Sequence, residues 1–474
     1  MTVTDMRATN DAPSVPFRVS GSVSSGTILQ PLNASMIAIA IVAMATHFGT
    51  SAGISWVISA LYIATAVTAP MGGRLGALFG ARRVYLVGLV LVGIGSIVGS
   101  LAPDVGWLIA AYILLGVGMA THFPNAMTMI RGYAERYCRQ PRTALMTLVI
   151  CSQAVAALGP TVGGLLVGTF GWQSILWINL PVVVLSAIAV TRIADVGFVG
   201  GTSASGRQML NSLDIVGITL FLALITTTML FLLSLGGEPV WWLIPVWAVA
   251  LALFVVRERR AGEPFIDVRA LSRNRALSAT LARTLLTYTS FYCVFFGIPQ
   301  WLQYARGMSA TQAGLTMLPV AAVAICSTIV ASWTYRRFGA RRTLVVGTCA
   351  LLVGGLLLAS VERSTAPLIV LLLVAAVLGI PQGFNNIGNQ NLINSVTSVA
   401  EVGTAIGMYR TVQNIGANLS AVVLQVTAGH VIGDEGIHRT GWFIAAAGVI
   451  LLVEVLLSRN IVSRSVSALP VEVT

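Results

Sequence analysis

Fourteen apolar stretches of about twenty residues follow one another along this chain, and they limit its fold more than any other feature. They run over about 27–48, 54–75, 84–102, 106–130, 143–168, 172–193, 214–235, 240–257, 276–302, 311–333, 343–361, 366–392, 402–428 and 440–458. A helix rises about 1.5 Å per residue, so each stretch can cross the roughly 30 Å of a bilayer's hydrocarbon. In lipid the backbone must satisfy its own hydrogen bonds, which a helix does. Only 9% of the residues are charged and 56% are apolar, where a soluble domain carries about 25% charged residues. The prediction is an all-α polytopic membrane protein with 14 transmembrane helices and the lipid bilayer as its main partner.

The net charge of +12 needs a separate account, because a basic chain can also be a nucleic-acid binder. All 28 basic residues are arginine, and they lie between apolar runs rather than on one patch, so no nucleic-acid partner is expected. With fourteen spans, only Arg306, Arg363 and Arg439 fall in loops on one side, and Arg283 and Arg410 fall inside spans. The remaining arginines fall in the tails and in the loops on the other side. Cytoplasmic loops collect arginine, so both termini are expected in the cytoplasm of a multi-pass cell-membrane protein.

Catalytic and metal chemistry is thin. There are four His, no paired-carboxylate cluster and no metal-type spacing, so no enzyme, cofactor or metal is expected. Four of the five cysteines lie in apolar runs and Cys138 in a basic loop, which does not suggest a disulfide framework. Residues 1–26 are polar and aperiodic, without the short apolar core of a signal peptide, and are expected to form a disordered cytoplasmic tail.

The chain repeats itself. FGARRVYLVG at Phe79–Gly88 returns as FGARRTLVVG at Phe338–Gly347. The first copy lies between spans two and three, the second between spans ten and eleven. Without spans seven and eight, these are the same loop in two six-span halves, the internal repeat of many secondary transporters. The expected organisation is a tail over 1–26, a six-helix bundle over 27–193 and a linker with two extra helices and a connector over 194–275. A second six-helix bundle over 276–459 and a tail over 460–474 complete it. The arginines of the repeated turn can bond exposed carbonyls at helix ends.

Several segments carry a resemblance to a known family. GGRLGALFGARR (Gly72–Arg83) is similar to the loop motif Gly-x-Leu-x-Asp-x-x-Gly-Arg-Arg of the major facilitator superfamily. LGPTVGG (Leu158–Gly164) resembles its antiporter motif Gly-Pro-x-x-Gly-Gly. Pro31–Ile41, Glu258–Arg275 and Pro299–Pro319 resemble segments of the fourteen-spanner branch that is similar to drug:proton antiporters. The resemblance covers roughly 27–460 and implies the major facilitator fold, two six-helix bundles plus two extra central helices. It also implies gating roles for Gly73, Gly80, Arg82 and Arg83, and for Gly159, Pro160, Gly163 and Gly164. Pro160 removes a backbone bond and Gly163 and Gly164 admit a close neighbour, so this seam can bend and pack tightly.

Three departures bear on coupling. The loop motif's Asp is Ala77, and Arg336 stands at the equivalent place in the second half. The first-span signature has Asn33 where Asp is usual, and the fourth-span motif Arg-x-x-Gln-Gly reads with Tyr112 and Leu115. If protons are the coupling ion, the remaining titrating groups inside spans are His122 and Glu454.

Polar residues inside a span are costly and point to function. Gln382, Asn386 and Asn389 share one face of span twelve, and Arg410, Asn414 and Asn418 form a stripe on span thirteen, with Gln413 beside it. Span nine adds Arg283, Tyr288 and Tyr292. With Asn33 these are the candidate substrate-binding residues, against the alternative that amides are packing glue and that both arginines snorkel to the surface. The function expected is export of small amphipathic molecules, drugs or toxic metabolites, by alternating access in a monomer. Alternatives are an importer or uniporter of a small organic anion and, in another class, a non-transporting sensor on a transporter scaffold.

Overall fold

The computed structural model describes residues 13–193, 214–235, 238–261, 268–397, 402–429 and 432–458, all essentially helical. Asp104, Asn274 and Ser309 show why helices start where they do. Each precedes a helix, and its side chain accepts a backbone N–H three residues on, from Trp107, Leu277 and Gln312 respectively.

The first half contains α1 (Phe17–Thr27), α2 (Leu29–Phe48), α3 (Ser51–Phe79), α4 (Ala81–Ser100), α5 (Val105–Arg136), α6 (Arg142–Phe170), the short α7 (Ser174–Trp177) and α8 (Asn179–Thr191). Two helices follow, α9 (Ile215–Ser234) and α10 (Leu243–Arg260), then the short α11 (Val268–Arg273). The second half contains α12 (Arg275–Tyr304), α13 (Ala310–Thr316), α14 (Leu318–Ser360), α15 (Leu368–Val396), α16 (Val402–Ala428) and α17 (Asp434–Leu457). Each half packs round its own core: α3 and α4 lie on α5, and α15 and α17 lie on α14. The halves meet where α3 packs on α16, α2 on α12, and α6 on α13 and α14. The extra helix α9 lies along this junction, with Phe221, Ile225 and Met229 packed beside Ile63 and Val67 of α3 and Val422 of α16.

One expectation changes. The N-terminal tail is not wholly irregular: residues 17–26 belong to α1, which buries Val19 and Val23. It is fixed by Tyr85, whose hydroxyl donates to the Val23 carbonyl at 2.7 Å and accepts from the Gly26 N–H at 3.0 Å. Residues 1–12 and 459–474 lie outside the described residues, as do the linker residues 194–213.

The expected fourteen spans are matched in part. Among the described residues nine helical stretches are long and apolar enough to cross a membrane, or ten if Gly53–Ala69 and Met71–Phe79, bent by 49°, make one span. Two of the fourteen expected stretches are counted as one in Ala310–Ser360, although non-helical Gly339 in the second FGARR turn kinks α14 between them. Helix α9 runs over 20 residues, Ile215–Ser234. Helix α10 ends in Arg257, Arg259 and Arg260. Helix α16 is long enough but carries Arg410, Gln413, Asn414 and Asn418.

The repeated turn is repeated in structure. Gly80 has φ 94° and Gly339 has φ 80°, a region that glycine enters without steric cost. One arginine of each copy then reaches the end of the last helix of its own half. Arg82 donates to the Thr191 carbonyl at 2.6 Å, and Arg341 donates to the Ser458 carbonyl. Arg83 is exposed.

Candidate functional site

The candidate site lies at the junction between the halves. Its framework is the antiporter-like motif of α6, which faces two ways. A β-carbon at Gly159 would stand 1.6 Å from the Ser35 hydroxyl, and one at Gly163 would stand 2.9 Å from the Met36 Cα, so both glycines admit α2 of their own half. Gly164 instead admits the other half: a β-carbon there would stand 2.5 Å from the Ala310 carbonyl oxygen. Gly314 returns the approach, since a β-carbon on it would stand 2.6 Å from the Pro160 carbonyl oxygen. Thr161 donates to the Gly314 carbonyl and Thr311 to the Gly164 carbonyl, both at 3.0 Å. The seam is thus backbone against backbone, which only small residues allow.

In the loop motif the close approaches fall on Gly72 and Gly76, not on Gly73. Asn125 of α5 donates to the Gly72 carbonyl at 3.0 Å, and a β-carbon at Gly76 would stand 1.8 Å from its side-chain oxygen. At Gly73 the nearest atom, Cβ of Pro124, would be an ordinary 3.8 Å away.

Along the same junction lies a strip of aromatic rings. Tyr62 of α3 meets Tyr292 of α12 with centroids 5.4 Å apart, and Tyr292 stacks on Phe296 at 5.6 Å. Tyr288 continues the strip at 6.3 Å from Tyr292 and 6.4 Å from Tyr409. The Tyr409 hydroxyl donates to Asn386 at 3.0 Å, tying α16 to the polar face of α15. Beside it the Arg410 guanidinium sits over the Phe123 ring of α5, 5.0 Å from its centroid, and donates to Gln413 at 3.4 Å. Arg410 is half-buried and lies within electrostatic reach of the Tyr288, Tyr292 and Tyr409 hydroxyls. Among the described residues no carboxylate pairs with it.

The structure divides the other candidates. Asn414 and Asn418 are buried on α16, with the Asn418 amide donating to the Asn414 carbonyl. Gln382 is half-buried on α15. Asn33 sits inside the first half, where its amide and that of Asn179 exchange hydrogen bonds at 2.7 and 2.9 Å and Asn179 also donates to Ser96. That closed pair suits helix packing rather than ligand contact. Arg283 and Glu454 form a two-pronged ion pair at 2.7 and 2.9 Å, and Arg283 also donates to Asn389 at 3.2 Å. His122 is fully buried against the Tyr85 ring, 4.8 Å between centroids. Neither titrating candidate therefore lies on the aromatic strip.

Sequence reasoning missed Tyr62, Phe123 and Tyr409. Tyr62 and Phe123 lie in spans of the first half, where no polar stripe marked them. Tyr409 adjoins Arg410 and would have been found by asking which ring could share its face. At one end of the strip Phe296 also borders a narrow cavity of about 40 Å³ with Gln300, Tyr304 and Gln425, room for water but not for a drug-sized molecule. Among the described residues no group of three His, Cys, Asp or Glu is arranged to hold a metal.

Comparison with known proteins places this architecture. The sequence model of the Major Facilitator Superfamily matches residues 23–421 and 280–468. The chain is 33% identical over 429 residues to the uncharacterized MFS-type transporter YwoD of Bacillus subtilis, covering 90% of this chain and 93% of that one. It is 28% identical over 430 residues to the tetracenomycin C resistance and export protein of Streptomyces glaucescens, covering 87% and 76%. It is also 28% identical over 385 residues to the multidrug resistance protein Stp of Mycobacterium tuberculosis, covering 78% and 68%. Among solved structures, the D-xylose-proton symporter superposes with a TM-score of 0.66 at 15% identity, over 94% of this chain and 98% of that one, which speaks to the fold alone. The chain thus belongs to the Major Facilitator Superfamily and is an integral membrane transporter, not an enzyme.

Proposed function

We propose that this transporter exports small amphipathic molecules, drugs or toxic metabolites, across the cell membrane by alternating access. The observation that carries the reading is the strip of rings and amides at the junction of the halves. Tyr62 and Phe123 come from one half, and Tyr288, Tyr292, Tyr409 and Arg410 from the other. A molecule bound there touches both halves, so its binding can bias their relative position. The antibiotic-resistance relatives support the outward direction. In this reading α9 and α10 are two extra spans between six-helix bundles over 27–193 and 276–459, fourteen spans in all, and the protein acts as a monomer.

Both termini and the α5–α6 turn then face the cytoplasm, as the arginine distribution favours. Cys138 in that turn is exposed and free, so it reports the orientation directly. Its labelling by an impermeant thiol reagent added to intact cells would overturn the assignment.

The function itself is tested by an accumulation screen. Cells that overexpress the protein and cells that lack it are compared across a panel of amphipathic compounds. Lower accumulation of at least one compound on overexpression, with the reverse on deletion, is expected. Higher accumulation on overexpression would instead indicate import. Import of a small organic anion is the second reading, and Arg410, without a carboxylate partner among the described residues, is the observation in its favour.

A further inference from the structure

We infer that the substrates are aromatic organic anions, held by Arg410 and the tyrosine strip, and that the inside-negative membrane potential drives their export. The inference rests on the export reading and names the chemical class that this site takes.

The charge inventory comes first. Two arginines lie within the spans of the second half. Arg283 is neutralised by Glu454 through both carboxylate oxygens. Arg410 has only an amide, at 3.4 Å, and a ring face. At the start of α9 Asp214 is held by Arg257 at 2.7 Å, Glu258 is buried on α10, and Glu362 and Asp434 lie at the loop between α14 and α15, where the Ser364 N–H donates to Asp434 at 3.0 Å. Among the described residues no carboxylate forms an ion pair with Arg410, so its positive charge has no paired anion. In a low-dielectric site that excess attracts an anion and repels a cation strongly.

The surroundings define the rest of the ligand. Tyr288, Tyr292 and Tyr409 offer ring faces and hydroxyls near the guanidinium, and Tyr62 closes the strip from the other half. Rings suit a flat aromatic body, and a planar guanidinium suits a carboxylate or sulfonate.

The energetic consequence follows. With the anion bound, the charge of Arg410 is cancelled, so the loaded carrier crosses between its two states without moving net charge. The empty carrier returns with one positive charge in the site. One negative charge leaves the cell per cycle, and an inside-negative potential favours that direction. No titrating side chain is then required at the junction, which fits Asn33, Ala77 and Tyr112 at positions where the family usually has ionisable groups.

The test uses the purified full-length protein in liposomes, with potassium and valinomycin to set the potential. The probes are naphthalene-2-sulfonate, the uncharged naphthalene-2-sulfonamide and a cationic naphthylmethyl-trimethylammonium. Sulfonate flux should exceed that of the cation and rise when the sulfonate-loaded side is made negative. In Arg410→Gln the ratio of sulfonate to sulfonamide flux should fall about ten-fold, the scale of one charge lost in a partly screened site. Arg410→Lys, which keeps the charge, should restore much of that ratio and so separates charge from fold. Movement of the cation or sulfonamide with the sulfonate refused would overturn the inference and leave the transport reading standing. Sulfonate flux that ignores the potential or the Arg410→Gln change would overturn it too. No flux of any probe above empty liposomes would count against both.

Discussion

Glu454 grips Arg283 with both carboxylate oxygens, at 2.7 and 2.9 Å, and so neutralises its guanidinium. The Arg283 side chain is only 2% exposed, while that of Glu454 is 33% exposed. Losing the carboxylate strands a buried guanidinium, whereas losing both charges leaves nothing unpaired. Glu454→Gln should therefore lower stability by about 1–3 kcal/mol, less than the full cost of breaking a buried pair because Glu454 is only partly buried. The double variant Arg283→Gln/Glu454→Gln should recover part of the loss. Thermal unfolding in detergent micelles checks this; a Glu454→Gln midpoint equal to the wild type would show that the pair contributes nothing.

The seam between α6 and α13 gives a second expectation. Valine at Gly314 would place its β-carbon 2.6 Å from the Pro160 carbonyl oxygen, a contact that backbone cannot relieve by turning a side chain. Gly314→Val should hold the halves apart there. Efflux should fall, and a single cysteine replacing Thr311 in a cysteine-free background should label faster than in the protein that keeps Gly314. Unchanged labelling and unchanged efflux together would mean that the seam does not close during transport.

A pH dependence follows from Glu362, in the loop between α14 and α15. Burial pushes its carboxyl up to about 8 from an ordinary 4.5, against the opposing pull of the Arg306 guanidinium. His438 from α17 bonds the Glu362 backbone carbonyl, and Arg306 donates to the nearby Ala366 carbonyl. Below the ordinary value both folded and unfolded chains hold the proton. Between that value and about 8 only the folded chain holds it, so stability falls as pH rises through this window. Glu362→Gln should flatten the decline and raise the melting temperature by a few degrees at about pH 8.5, with little change near about pH 4.5. The same melting difference at both ends of the range would rule out this carboxyl as the cause.

Much of the fold was legible because lipid allows few solutions. Apolar length predicted helices, and the duplicated FGARR predicted two related halves. The structure repeats even the detail, with Arg82 on Thr191 and Arg341 on Ser458. The helix over Phe17–Thr27 was not legible, because its serines and glycines give it little apolar signal, and Tyr85 fixes it from 59 residues away. The site was half legible. Spacing put Arg410, Asn414 and Asn418 on one face of α16, but spacing within a helix cannot show which partner stands opposite. That information decided the outcome for Arg283, which met Glu454, and for Asn33, which met Asn179. It also hid Phe123 and Tyr62, whose importance comes from the half they face.

The most direct test of the central claim, a substrate path at the junction of the two halves, is the initial efflux rate from preloaded cells for wild type and Asn414→Leu at equal membrane levels. Asn414 is buried on the polar face of α16, four residues from Arg410, and leucine keeps the span apolar without its amide. The expected result is at least a several-fold slower efflux, about the effect of leaving one polar contact unmade, with normal insertion. Wild-type efflux of every exported compound by Asn414→Leu would contradict the claim.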